Sequence, residues 1–324
     1  MSDKDPMNIP ASNDDGWHKE LVNRLAFAAV TEQRRARRWS IFFKVLLAFY
    51  LLALLLLYMP SDWSSMSKTS EKHTALVELS GPISDAAEAS ADTVINGLRD
   101  AFEDENTAGV ILRANSPGGS PVQSSYIYNE ILRLRVLHPE TKLYAVVTDV
   151  CASGCYYIVS AADEIFVNKS SIVGSIGVRM DSFGFVDTME KLGIERRLYT
   201  AGESKGFLDP FTPSKESDVA HVNKLLDDIH TQFKNDVMAG RGDRLKDHPQ
   251  LFSGLVWTGE KGVEMGLADD IGSSGYVARE IIGEEEMVDF TKKPDLLERI
   301  SDRIGVAMAR SMSRLVLEGT GTIK

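Results

Sequence analysis

Residues Ile41 to Met59, IFFKVLLAFYLLALLLLYM, are 19 consecutive residues with a single charge, Lys44. No other feature of the chain narrows its possible folds so far. A helix of that length rises about 28 Å, close to the ~30 Å hydrocarbon core of a bilayer. Core helices rarely carry so long an apolar run. A cleaved leader would begin nearer the N-terminus and end in a small-residue cleavage site. The sequence therefore predicts one transmembrane helix, with Lys44 close enough to an end to snorkel. Arg34, Arg35, Arg37 and Arg38 stand just before it, and the polar PSDWSSMSKTSEKH follows. The positive-inside rule puts the N-terminus in the cytoplasm and everything after Pro60 outside. In a two-membrane bacterium this is a single-pass protein of the inner membrane with a periplasmic domain. Residues 17–38 read as an amphipathic helix leading into the span.

The charge changes sign across that segment. Residues 1–59 carry a net +2, so the remainder of a chain whose total is -11 carries -13. An outer part this acidic argues against nucleic acid as a partner.

Beyond the stalk at 60–72, strand-like and helix-like stretches alternate. HTALVELSGPI (73–83) has strand periodicity and 89–106 helical periodicity. A strand at 108–116, the turn PGGSPVQ and a helix at 124–138 follow. KLYAVVTDV (142–150) is a strand, SGCYYIVSAAD a helix, and 164–178 a short strand with a loop. The order predicts an α/β domain with parallel strands over 73–282. MEKLGIERRLYTAG then reads as helix and strand, 214–241 as a long helix, and 258–273 as a short helix and turn. The extension 283–324 holds one short strand and, at 295–319, an amphipathic helix that suits lipid, the domain or a neighbouring subunit.

In parallel α/β sheets, sites gather at the carboxyl ends of strands. Two loops lie there, NSPGGS (115–120) and VCASG (150–154). Ser153 leaves a strand and opens a helix. It can be a nucleophile presented at a sharp turn, with the Gly154 N–H facing a developing oxyanion, or simply an N-cap. Gly118 and Gly119 allow backbone N–H groups to approach a ligand. Cys151 and Cys155 bracket Ser153. Two cysteines are no disulfide framework, and on one helix they aim poorly for a bridge, so they read as small packed residues. None of His18, His73, His138, His221, His230 or His248 stands in a recognisable triad context. The alternative base is a lysine kept neutral by burial. Lys205, in AGESKGFLDPF, lies among small and apolar residues, although most lysines are solvated surface charges.

NSPGGS, CASGCYYIVSAADEIFVNKSSIVGSIGV, SKGFLDPFTPSKES and VWTGEKGVEMGLADDIG, in this order and spacing, resemble the signal peptide peptidase A / SohB group of membrane-anchored serine peptidases. The resemblance covers about 73–280. It implies a Clp-protease/crotonase-like fold and a Ser–Lys dyad. Ser153 matches the nucleophile, Lys205 the general base, and Ser175 the serine that orients the lysine. Gly118 or Gly119, with Gly154, match the oxyanion donors. No metal or cofactor is implied. The implied substrates are apolar signal-peptide remnants, and the implied assembly is a ring- or dome-like homo-oligomer in which neighbours share a site. Two rivals use the same fold, an acyl-CoA enzyme of crotonase type and a non-catalytic membrane scaffold.

Overall fold

The computed structural model describes residues 14–58 and 71–292. Residues 14–58 form one helix, α1 (Asp14–Tyr58), which takes in the amphipathic segment and the apolar run as far as Tyr58. Among the described residues no helix is long and apolar enough to cross a membrane. The described side chains of α1 end at Leu54, so the last part of the span expected from the sequence lies outside them. The amphipathic segment at 295–319 and most of the stalk also lie outside the described residues.

Residues 71–292 belong to a second unit. Its elements run β1 (His73–Ser80), α2 (Ala91–Glu103), β2 (Thr107–Ser116), α3 (Pro121–Leu137), β3 (Leu143–Ala152), α4 (Gly154–Val159), β4 (Glu164–Val167), β5 (Ile172–Gly174) and α5 (Val186–Lys191). There follow α6 (Glu216–Arg241), β6 (Val256–Thr258), α7 (Gly259–Glu264), β7 (Asp270–Ile271), α8 (Ser274–Tyr276) with a π-helical turn at Val277–Ile282, and β8 (Met287–Asp289). The eight strands make one sheet in the order β6-β5-β3-β2-β1-β8, with β4 and β7 branching from β3. Every pair is parallel except β5 with β6. This mixed α/β architecture with a mostly parallel sheet fits the Clp-protease-like fold.

Both faces of the central strands are covered, so their apolar runs are nearly continuous. Val110, Leu112, Ala145 and Val147 pack under α2, α3 and α4, against Val94, Leu98, Ile127 and Ile131. The intervening Leu76, Ile111 and Val146 face the other way, onto Phe166, Val277 and Ala278. α2 starts where Ser90 accepts the Thr93 N–H. α3 starts at Pro121, whose missing N–H suits the first helical position, with Ser120 accepting from Gln123. The helix thus begins inside the stretch PGGSPVQ that the sequence suggested was all turn.

β3 decides where the site stands. Its first half pairs with β4, Tyr144 to Val147 opposite Glu164 to Val167. Its last residues, Val150 to Ala152, pair with β5 instead. The segment 164–178 therefore supplies two strands to β3, where the sequence suggested one. Behind this, the fully buried Arg241 at the end of α6 donates twice to Asp269, at 2.8 and 2.9 Å, and to Gly266 O.

No residue between Gly177 and Gln232 is buried. The latter part of MEKLGIERRLYTAG (189–202), expected as a strand, forms none; a strand needs a paired neighbour, and among the described residues none runs beside it. Residues 183–211 of this stretch contact one another. Phe185 stacks on Phe211 at 5.5 Å, and Arg196 lies over the same ring and pairs with Asp209. Phe183 is 75% exposed and Tyr199 88%.

Candidate active site

The carboxyl ends of β2, β3 and β5 lie side by side. Ser116 stands opposite Cys151, and Ala152 opposite Gly174. The next residues are the Pro117–Gly119 turn, Ser153 and Ser175. The two serines, Gly118, Gly119 and Gly154 line one cleft of about 980 Å3. Five of the six residues singled out from the sequence thus meet in one place.

Ser153 occupies the N-cap position of α4, but its side chain makes no capping hydrogen bond. Its backbone has φ 54° and ψ -120°. A non-glycine residue there is strained by about 1–3 kcal/mol, a feature that clusters at functional sites. The turn is held by the Ser153 N–H donating to Gly174 O at 2.8 Å and by the Tyr157 N–H donating to Ser153 O at 3.0 Å. The hydroxyl has no hydrogen-bond partner among the described residues and lines the cleft. Ser175 also has positive φ, 55°, and its N–H donates to Leu255 O.

The Pro-Gly-Gly turn approaches Ser153 so closely that side chains are excluded. A Cβ on Gly118 would lie 2.7 Å from Gly154 N and 2.9 Å from Ser153 Cβ. A Cβ on Gly119 would lie 2.1 Å from Ile83 O. The N–H groups divide between two tasks. Gly118 donates to Ser116 Oγ at 3.1 Å, whereas the Gly119 N–H has no acceptor among the described residues. Gly154 is in the first turn of α4, where an N–H has no intrahelical acceptor, and a Cβ built on it would lie 3.2 Å from Gly119 N. Two backbone donors, Gly119 and Gly154, therefore stand together beside the Ser153 hydroxyl.

Lys205 does not line this cleft. It lies in a turn of the exposed segment, its N–H donating to Gly202 O, and its side chain is exposed in the single chain. The burial that a neutral amine requires is absent within one copy. The histidines of this unit have other contacts: His73 stacks on Phe290, His138 meets Phe102, His221 meets Phe207, His248 meets Trp257, and His230 Nε2 lies 3.1 Å from Ile176 O. Among the described residues none lines the cleft.

The cysteines correct the sequence reading. Cys151 and Cys155 are joined in a disulfide, with Cα atoms 5.1 Å apart. The expectation of an unbridged pair assumed both on one helix. Cys151 instead lies in the strand, one residue before its end, and the sharp turn at Ser153 swings Cys155 back over it.

Several cleft residues carried no signal in the sequence. Tyr157, Ile229 and Phe233 form an apolar wall, with Phe233 stacked on Tyr157 at 4.8 Å. Burial pushes the Tyr157 phenol up to about 12, helped by its hydrogen bond to Asp236, so it stays a neutral donor. Ile229 and Phe233 are four apart on α6, which the spacing alone would have shown, had the helix been known to pack over the cleft.

Comparison with known proteins agrees with this geometry. The family model described as Peptidase family S49 matches residues 136–287. A protein of Enterococcus faecium named for signal peptide peptidase SppA is 28% identical over 246 residues, 74% of this chain and 70% of that one. Protease 4 of Haemophilus influenzae is 30% identical over 203 residues, 61% of this chain and 32% of that one. A protein of Brucella abortus named Na(+)/H(+) antiporter NhaA is 46% identical over 188 residues, 58% of this chain. The chain spans only about a quarter of the length of the Brucella proteins. With the parallel sheet, the strained serine and the glycine turn in place, residues 136–287 match peptidase family S49, and the chain is similar to proteins named for signal peptide peptidase A and protease 4.

Proposed function

We propose that the protein is a membrane-bound serine endopeptidase that degrades apolar signal-peptide remnants through a Ser153–Lys205 dyad. The observation that carries this reading is the Ser153 hydroxyl, unpartnered on a strained turn, beside the N–H groups of Gly119 and Gly154. Lys205, neutral, takes the Ser153 proton, and Ser153 attacks the peptide carbonyl. Gly119 and Gly154 hold the oxyanion, and removing one such donor typically lowers the rate ~10²–10³-fold. Lys205 then protonates the leaving amine, and water hydrolyses the acyl-enzyme. Ser175, across the cleft, orients the lysine. No cofactor enters these steps.

Lys205 reaches Ser153 from a neighbouring copy in a homo-oligomer. The exposed aromatic and aliphatic side chains of the same stretch, Phe183, Leu192 and Tyr199 among them, support such a docked arrangement. Docking also removes water from the amine, which lowers its pKa.

The apolar run Ile41 to Met59 anchors the protein in the inner membrane with the catalytic unit outside. The disulfide supports that location, because such bonds persist in oxidising compartments. The tether holds the cleft near membrane-embedded peptides at high effective concentration. No comparable observation favours the crotonase-type or scaffold reading. An apolar fluorogenic peptide tests the proposal: Ser153→Ala and Lys205→Ala both abolish cleavage, and variants as active as the parent overturn it. Mixing the two variants restores part of the activity if the dyad spans two copies.

A further inference from the structure

Ser153 lies midway between Cys151, the penultimate residue of β3, and Cys155, in the first turn of α4. Both sulfur-bearing residues are fully buried. Cys151 is paired on both sides. Its partner on β2 is Ser116, whose Oγ holds the Gly118 N–H, and its partner on β5 is Val173, two residues before Ser175. The disulfide therefore ties the first turn of α4 to the strand residue that stands between the two other loops of the site. The residues enclosed are Ala152, Ser153 and Gly154.

A strained backbone persists only where its surroundings over-determine it. The side chain of Ser153 makes no cap, so the restraints are the two backbone hydrogen bonds and the covalent loop around them. A loop this short restrains the unfolded chain little compared with a long one, so its effect is mainly local.

We propose that the Cys151–Cys155 disulfide is a positioning element for the nucleophile, so that turnover depends on the oxidised pair. This rests on the reading of Ser153 as the nucleophile. Reduction by a dithiol passes two electrons to the S–S bond. The two sulfurs take up two protons and become thiols, and the dithiol closes to its own cyclic disulfide. Freed of the bridge, Ser153 leaves its strained conformation for part of the time and its hydroxyl moves off the line of the Gly119 and Gly154 donors. A misplacement of about 1 Å lowers rate by as much as ~10²-fold.

The test uses the full chain in detergent with an apolar fluorogenic peptide. The double variant Cys151→Ala/Cys155→Ala is expected to keep the parent's circular dichroism and KM while kcat falls about 10–100-fold. Labelling of Ser153 by a serine-directed acylating probe slows by the same factor. Parent protein reduced with dithiothreitol, its two new thiols verified by alkylation and mass, shows the same loss, and reoxidation restores it. Either form with parental kcat overturns the proposal. So does unfolding of both forms, which would make the bridge a general staple. An oxidised parent that neither turns over nor labels at Ser153 overturns the nucleophile reading, and this proposal with it. An oxidised parent that is active, with an equally active reduced form, overturns this proposal alone.

Discussion

Gly118 gives its N–H to Ser116 Oγ at 3.1 Å, and the neighbouring Gly119 N–H is left free to face the cleft. Ser116 is fully buried, so this hydrogen bond is shielded from water. The pair fixes which of two adjacent glycine N–H groups stays available in the cleft, the one proposed above as an oxyanion donor. Ser116→Ala is expected to lower kcat about tenfold with KM near the parent's, because the turn loses a hold but keeps its chain path. Gly119→Ala is expected to be inactive, since its Cβ would lie 2.1 Å from Ile83 O. Steady-state kinetics on both variants check this. A Gly119→Ala protein with parental kcat would contradict the assignment.

Phe233 and Tyr157 stack at 4.8 Å along the cleft. Phe233 is buried, and its truncation removes apolar wall as well as core. Phe233→Ala is expected to lose about 3–5 kcal/mol of stability. Below its melting temperature it is expected to raise KM for apolar peptides more than it lowers kcat. Chemical denaturation and a substrate titration separate the two effects.

Arg241 is buried with both of its carboxylate contacts on Asp269. Arg241→Ala leaves Asp269 with the Ile165 N–H, at 2.7 Å, and a more distant cation, Arg244, 3.7 Å away. Losing one partner of a buried pair costs about 3–5 kcal/mol. The catalytic rate per folded molecule is expected to stay unchanged, because the pair lies outside the cleft.

Glu130 accepts from Arg133 and Arg99, and these hydrogen bonds hold its carboxyl down at about 2, from an ordinary 4.5. A depressed acid contributes stability that is complete above the unfolded value and is lost as pH falls through the folded one. Glu130→Gln is therefore expected to be less stable than the parent at pH 7, by about 1 kcal/mol given the half-exposed arginines. The difference is expected to shrink between pH 4.5 and about 2. Urea titrations across that range check the sign.

The order of strands and helices from His73 to Val167 was legible because each carries its own period and its own turn residues. Ser153, Gly118, Gly119 and Gly154 were legible as a group because all sit just past strand ends, where a parallel sheet collects its loops; Ser175 was legible only through the family resemblance. The bridge between Cys151 and Cys155 was not. Its geometry depends on the positive φ of Ser153, which no helical or extended spacing anticipates. The segment around Lys205 misled in another way. Its hydrophobic residues read as strand and buried surroundings, yet among the described residues nothing covers them.

The most direct measurement is peptide mapping after reaction with a serine-directed acylating probe. The account predicts one modified residue, Ser153, with labelling lost in Ser153→Ala and strongly slowed in Lys205→Ala. Label on another residue, or equal labelling of the Ser153→Ala protein, would contradict it.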